Sequence, residues 1–169
     1  MSIDGTDFRI YQKGPARKGN AFASFKYKGK SALRYEVGVS ILEGDLIWIE
    51  GPYPAGKYND ITIFRNCLLH CLGPSERVVA DKGYVGEAPR FVKCPNSKTL
   101  WRDHRRMTHL VSGRHETINN RFKFWGILKQ VYRHNIIRHG SVVRAIGVIT
   151  QLGINNGERL YNVEYNDIN

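Results

Sequence analysis

The sequence predicts an α/β fold with a mixed sheet: antiparallel strands first, then a helical crossover into a parallel strand, then helices. Two observations carry this. Apolar residues alternate with period two through Leu33 to Leu42, where Tyr35, Val37, Val39 and Ile41 share one face. A helical stretch, Ile61 to Leu72, then separates these strands from a short apolar strand, Val78-Val79-Ala80. A helix between two strands is how a chain returns to the same edge direction.

Taken in order, Ser2 to Tyr11 reads as a strand and Lys13 to Asn20, rich in Gly, Lys and Pro, as a loop. Phe22 to Lys28 has a weak strand-like alternation. With Leu33 to Leu42 and Leu46 to Ile49 it reads as an antiparallel meander, closed by Gly51-Pro52-Tyr53-Pro54. Asn59-Asp60 offers a helix N-cap, and Gly73-Pro74 ends the helix. Val85 to Thr108 shows no clear period. His115 to Gln130 is helical, with Ile118, Phe122 and Trp125 on one stripe and Glu116, Asn120 and Lys123 on the other side. Trp125 is expected in the core. Ser141 to Leu152 reads as a helix capped by Ser141, with Val142, Ala145, Ile146, Ile149 and Leu152 buried. Leu160 to Tyr165 suggests a last short strand.

The chain has 169 residues and 41% hydrophobic content, which suits one compact domain. Its formal net charge is +11, a balance that points to a polyanionic partner such as nucleic acid. Three cysteines, Cys67, Cys71 and Cys94, do not make a disulfide framework, so a reducing compartment is expected. Cys67 and Cys71 are read as buried structural residues, since no second ligand pair has zinc-like spacing. No stretch reaches the roughly 18 apolar residues of a membrane span, and no signal peptide is visible. A nuclear or cytoplasmic protein without membrane association fits.

Three acidic residues stand out by position. Asp4 lies on the first strand, Asp81 at the C-terminal end of Val78-Val79-Ala80, and Glu116 near the start of the helix from His115. Functional groups of open α/β sheets gather at strand C-termini. Three converging carboxylates suit two divalent ions roughly 3.5–4 Å apart, which activate a nucleophile and stabilise a leaving oxygen in phosphodiester cleavage. Each residue also has a plainer role: Asp4 and Asp81 as turn residues, Glu116 as a partner of the helix dipole.

Several segments resemble the PIF/Harbinger-like family of transposase endonucleases. Ser2-Ile3-Asp4-Gly5-Thr6 resembles its first catalytic strand. Gly56 to Arg65 is similar to a segment in which many members carry His where Asn59 stands here. Val79-Ala80-Asp81-Lys82-Gly83-Tyr84 is similar to the second catalytic strand, and Arg114 to Lys123 to the closing helix. Thirty-four residues separate Asp81 from Glu116, a spacing close to the family's. The resemblance implies an RNase H-like fold and DNA strand cleavage and joining. It also implies Asp4, Asp81 and Glu116 as catalytic residues and ligands of Mg²⁺ or Mn²⁺, two ions in all. Asp7 rivals Asp4 for the first position, and Asp60 could assist from the helix cap. Family members usually carry an N-terminal DNA-binding region. The resemblance therefore makes this chain a catalytic core, a fragment or a reduced relative, acting with a separate DNA-binding protein or as a homo-oligomer. A catalytically idle DNA- or protein-binding module and a metal-dependent RNase are the competing expectations.

From Lys98 to Arg144 there are eleven Lys and Arg against Asp103 and Glu116. Arg102, Arg105, Arg106, Arg114 and Lys123 are the candidate phosphate contacts. No helix-turn-helix or zinc-finger pattern is present to read bases. DNA binding is therefore expected to be mostly electrostatic, with affinity falling at least about tenfold between low and moderate salt. Anisotropy titrations across salt concentrations check this, and a flat response would contradict it.

Overall fold

The computed structural model describes residues 1–12, 20–94 and 102–160; of 102–108 it describes the backbone only. The strands are β1 (Ser2–Arg9), β2 (Ala32–Val39), β3 (Leu46–Pro54), β4 (Val78–Val79) and β5 (Val92–Lys93). The helices are α1 (Asp60–Asn66), α2 (Arg102–Phe124), α3 (Gly126–Lys129) and α4 (His139–Asn155). The strands form one mixed sheet in the order β3-β2-β1-β4-β5. β1 pairs antiparallel with β2, and β2 with β3; β4 runs parallel to both β1 and β5. The expected α/β class is observed, with antiparallel strands preceding the parallel ones.

Alternation along β2 decides what each face of the sheet meets. Leu33, Tyr35, Val37 and Val39 join Phe8 of β1 in a core with Ile118 and Phe122 of α2 and Val143 and Ile146 of α4. The opposite face packs Ile3, Val78 and Ala80 on Phe64 of α1, with Leu68 and Tyr84 beside it. Helices therefore cover both faces, and β2, between β3 and β1, is buried along its whole length.

Burial on both faces leaves polar residues of β1 and β2 inside. Arg34 donates from Nε and Nη2 to the two oxygens of Asp7, at 2.7 and 3.1 Å, and Ser24 donates to Asp7 Oδ2 at 2.5 Å. Arg34 also lies 3.3 Å from Asp60. Two carboxylates on one guanidinium keep these charges compensated away from water. On the other face, Tyr35 and His139 share a hydrogen bond of 2.6 Å, and burial pushes His139 down to about 4, so it is neutral there.

Several expectations change. Phe22 to Lys28 is not a strand. Lys28 and Gly29 both adopt positive φ and fold the segment back on itself, leaving one isolated pairing, Ala23 with Ser31. β1 takes its place in the antiparallel set. α2 begins at Arg102, well before His115. Its first turns are charged nearly all round and carry no apolar period to read. Glu116 thus sits mid-helix, away from the dipole's end. α4 begins before Ser141, and its N-cap is Arg138. Its buried face is Val143, Ile146, Thr150 and Ile154, while Ile149 and Leu152 are exposed. Gly147 and Gly140 account for this rotation: a Cβ on Gly147 would collide with Ile49 of β3, and one on Gly140 would press tightly on Pro52. Close approach through glycine outweighs the larger apolar stripe. Trp125 lies beyond the end of α2 and is 40% exposed, and Cys71 is exposed too. The proposed last strand lies outside the described residues from 161 onward, as does the loop from 13 to 19.

Arg34→Ala is expected to destabilise the fold by about 3–5 kcal/mol, because it leaves Asp7 charged, buried and without its main partner. Urea denaturation of parent and variant measures it; a loss below about 1 kcal/mol would show that the ion pair is dispensable.

Candidate functional site

The geometry at the sheet's centre follows from one register. Val79 N–H donates to the Met1 carbonyl at 3.0 Å, and Ser2 stands beside Val79 in the parallel pairing of β1 and β4. Continuing two residues along each strand brings Asp4 level with Asp81. Alternation gives both the same face, the one covered by α2. A cavity there is lined by Asp4 and Asp81 together with Ile3, Val79, Ala80, Val111, Ser112 and His115. Among its walls, α2 is fixed by His115, whose Nε2 is 2.9 Å from Ser2 Oγ; burial pushes this imidazole down to about 4, so it is neutral.

Asp81 also performs the plainer role. Its Oδ1 accepts the Gly83 N–H at 2.8 Å and caps a 3₁₀ turn, Lys82–Glu87. The other carboxylate oxygen is not engaged in that cap. Asp4 is raised to about 6, chiefly by burial, with Asp81 and Asp60 adding repulsion against the opposing pull of Lys26. Asp60 is raised as well, first by burial, with Arg34 and Lys26 opposing.

Asp60 is the residue that sequence reasoning underplayed. The N-cap of α1 is Asn59, whose Oδ1 accepts from Thr62 N–H at 3.0 Å. Asn59 therefore has a helix-starting role of its own at the place where the similar segments carry His. Its neighbour Asp60 is released to point at β1. The Asp60 carboxylate occupies the space where a Cβ on Gly5 would stand, and it lies 3.5 Å from where a Cβ on Gly83 would stand. Gly5 thus admits the carboxylate, while Gly83 meets it only at ordinary van der Waals distance. The signal was present in Asp4-Gly5, but only contact across the sheet gives that glycine its meaning.

Asp4 and Asp81 are brought together. Asp7 is committed to Arg34 and is not part of the cavity. Glu116 is exposed on α2, one helical turn beyond Ser112, and does not line the cavity. Lys123 is half-buried, near enough to Lys26, Asp7 and Asp4 to feel their charge. Arg114 is placed otherwise than a phosphate contact requires: it is 1% exposed and donates from Nη1 to the carbonyls of Ser40 and Ile41. The side chains of Arg102, Arg105 and Arg106 lie outside the described residues.

The donor chemistry suits a hard divalent cation: carboxylate oxygens, partly buried and repelling one another. The spacing is looser than a finished site. Among the described residues, no three His, Cys, Asp or Glu side chains stand close enough to hold an ion together. Among them, too, no helix is long and apolar enough to cross a membrane. No family model, curated protein or solved structure matches the chain.

Beneath Asp60 lies Glu36, 0% exposed, on the α1 face of β2 beside Gly5. Burial pushes its carboxyl up to about 8, with Asp60 adding repulsion. Trp48 Nε1 and Tyr84 Oη face it and favour the charged form, yet neither reaches hydrogen-bonding geometry, and these atoms and both Glu36 oxygens lack partners among the described residues. A pKa raised from 4.5 in the unfolded chain to about 8 in the folded one means that Glu36 contributes stability below pH 4.5. That contribution is lost as pH rises through 8. Asp4 acts in the same sense between its ordinary value and about 6. Buried neutral His115 and His139 act in the opposite sense between about pH 4 and 6.5, so the metal-free protein is expected to lose stability only from about pH 6.5 to pH 8, and Glu36→Gln to flatten that fall. Melting temperatures across this range check it; parallel curves for parent and variant would refute the assignment.

Proposed function

We propose that the chain is the catalytic core of a metal-dependent DNA endonuclease of the transposase type, with an RNase H-like fold. The observation that carries this reading is the pair Asp4 and Asp81, on adjacent parallel strands and facing one cavity beneath α2. The strand order β3-β2-β1-β4-β5, with three antiparallel strands followed by parallel ones, supports the RNase H-like assignment. The resemblance of four motifs in sequence order supports the transposase class. The charge of +11 supports a nucleic-acid substrate.

In this reading Asp4 and the free oxygen of Asp81 hold divalent metal. Glu116 joins from the rim of the cavity, since it stands one turn beyond Ser112 on the same side of α2. Bound Mg²⁺ or Mn²⁺ supplies Lewis acidity to the scissile phosphate and activates the attacking water or hydroxyl. The chain's own residues do the rest. His115 holds α2 against β1 and, being neutral, adds no charge to repel a cation. Asp60 adds negative potential from the opposite side of β1. Lys26 and Lys123 offer positive charge to the DNA backbone beside the carboxylates.

One observation favours a second reading, a binding module without catalysis. The carboxylates do not form a ready metal cage, and Asp81 already serves as a turn cap. The substitution Asp81→Asn separates the two. It keeps the amide oxygen that caps Gly83, so the fold is expected to survive, and it removes one charge from the cavity. In the nuclease, Mg²⁺-dependent nicking of a labelled duplex is expected to fall to background while metal-free DNA affinity is unchanged or slightly tighter. Glu116→Gln is expected to reduce nicking by at least about a hundredfold, a loss worth about 2.7 kcal/mol of transition-state stabilisation. Gel-resolved nicking rates, melting temperature and DNA affinity on the same preparations decide it. Nicking by Asp81→Asn at the parental rate would remove the residue from the active site.

A further inference from the structure

Ser24 to Lys30 forms a tight loop between β1 and β2, and its anchoring is unusual for an exposed turn. Ser24 is fully buried and donates to Asp7 at 2.5 Å. Tyr27 Oη donates to the Asp7 carbonyl at 3.0 Å, and the Arg9 guanidinium lies over the Tyr27 ring. Inside the loop, Lys28 N–H donates to the Phe25 carbonyl and Gly29 N–H to the Ser24 carbonyl. The loop is thus held twice on Asp7, by Ser24 at the carboxylate that binds Arg34 and by Tyr27 at the backbone carbonyl.

On this anchored frame Phe25 is 96% exposed. A lone exposed Phe carries no message by itself. Here its neighbours change the reading. Lys26, Lys28 and Lys30 are exposed on the same loop, and Lys26 Nζ donates to the Gly5 carbonyl at 2.5 Å, next to Asp4. Lys123 of α2 lies near Lys26. An aromatic ring in water, carried on an anchored loop whose Lys26 reaches the backbone next to Asp4, suits a ligand that is both flat and polyanionic. Unpaired nucleotides have both properties: a base to stack and a phosphate to neutralise. A paired duplex hides its base faces and offers only phosphates.

We propose that the Ser24–Lys30 loop binds single-stranded or locally unpaired DNA, with Phe25 stacking on an exposed base and the loop lysines neutralising the adjoining phosphates. This rests on the DNA-directed reading of the cavity and deepens it, since the substrate presented to Asp4 and Asp81 is then a strand with at least one base out of the duplex.

The test is binding without chemistry. Anisotropy in EDTA compares the parent, Phe25→Ala and Phe25→Trp on a labelled 12-nucleotide single strand, the matching duplex and the matching single-stranded RNA. Phe25→Ala is expected to weaken single-strand DNA binding about tenfold, the scale of one lost stacking contact, with duplex affinity changed less than about twofold. Phe25→Trp is expected to restore it. A 2-aminopurine base in the strand should change its fluorescence on binding the parent and not on binding Phe25→Ala. Equal single-strand affinity for parent and Phe25→Ala, or equal losses on single strand and duplex, overturns the proposal. Tighter binding to RNA than to DNA overturns the choice of DNA. Because EDTA abolishes cleavage in every arm, a failed nicking assay sinks the nuclease reading and leaves this result standing on its own.

Discussion

The parallel pairing of β1 with β4 is the contact on which the rest of the molecule depends. It is short: Ser2 opposite Val79, with Val79 N–H on the Met1 carbonyl. Yet it joins the antiparallel half of the sheet to the parallel half and sets Asp4 beside Asp81. A slip of one residue would turn one of the two carboxylates to the opposite face. α2 guards that register from above, through the contact of His115 with Ser2 and the packing of Ile118 and Phe122 on Phe8. α1 guards it from below, where Phe64 meets Ile3.

The two faces of β2 follow different physics. Toward α2 and α4 the face is apolar and close-packed, with rings of Phe8, Tyr35 and His139 in mutual contact. Toward α1 it carries Arg34 and Glu36, and buried charge must then be matched group by group. Arg34 is matched twice, by Asp7 and Asp60; among the described residues Glu36 is matched by nothing at bonding geometry. The result is a polar layer directly under the acidic cavity. It makes the fold dependent on protonation states as well as on packing, and through Asp60 it adds repulsion to Asp4, whose shift comes chiefly from burial.

Much of this was legible in the sequence where a single period or a single cap decides the matter. The alternation of Tyr35, Val37 and Val39 marks the core face of β2, and Asn59 marks the start of α1. Asp81 after Val78-Val79-Ala80 reads as a strand-end carboxylate and lines the cavity with Asp4. What the sequence hid depends on contacts between distant segments. Arg114 looks like one more cation in a basic run, and only the carbonyls of Ser40 and Ile41 make it a buried brace. The rotation of α4 depends on how near β3 comes to Gly140 and Gly147, which hydrophobicity does not encode. The inward aim of Asp60 depends on Gly5, a glycine in β1. Phe22 to Lys28 kept an alternating pattern, but Lys28 and Gly29 could turn it and Asp7 could hold it down.

Gly5 has a consequence of another kind. Side chains projecting from each face of a strand normally hold the layers above and below away from its backbone. At Gly5 that partition has an opening. Asp60, mounted on a helix below, projects into it beside the backbone that carries Asp4 above. The strand acts there as a window, and charge on one side is felt on the other. The charge of Asp60 below thereby adds to the repulsion on Asp4 above.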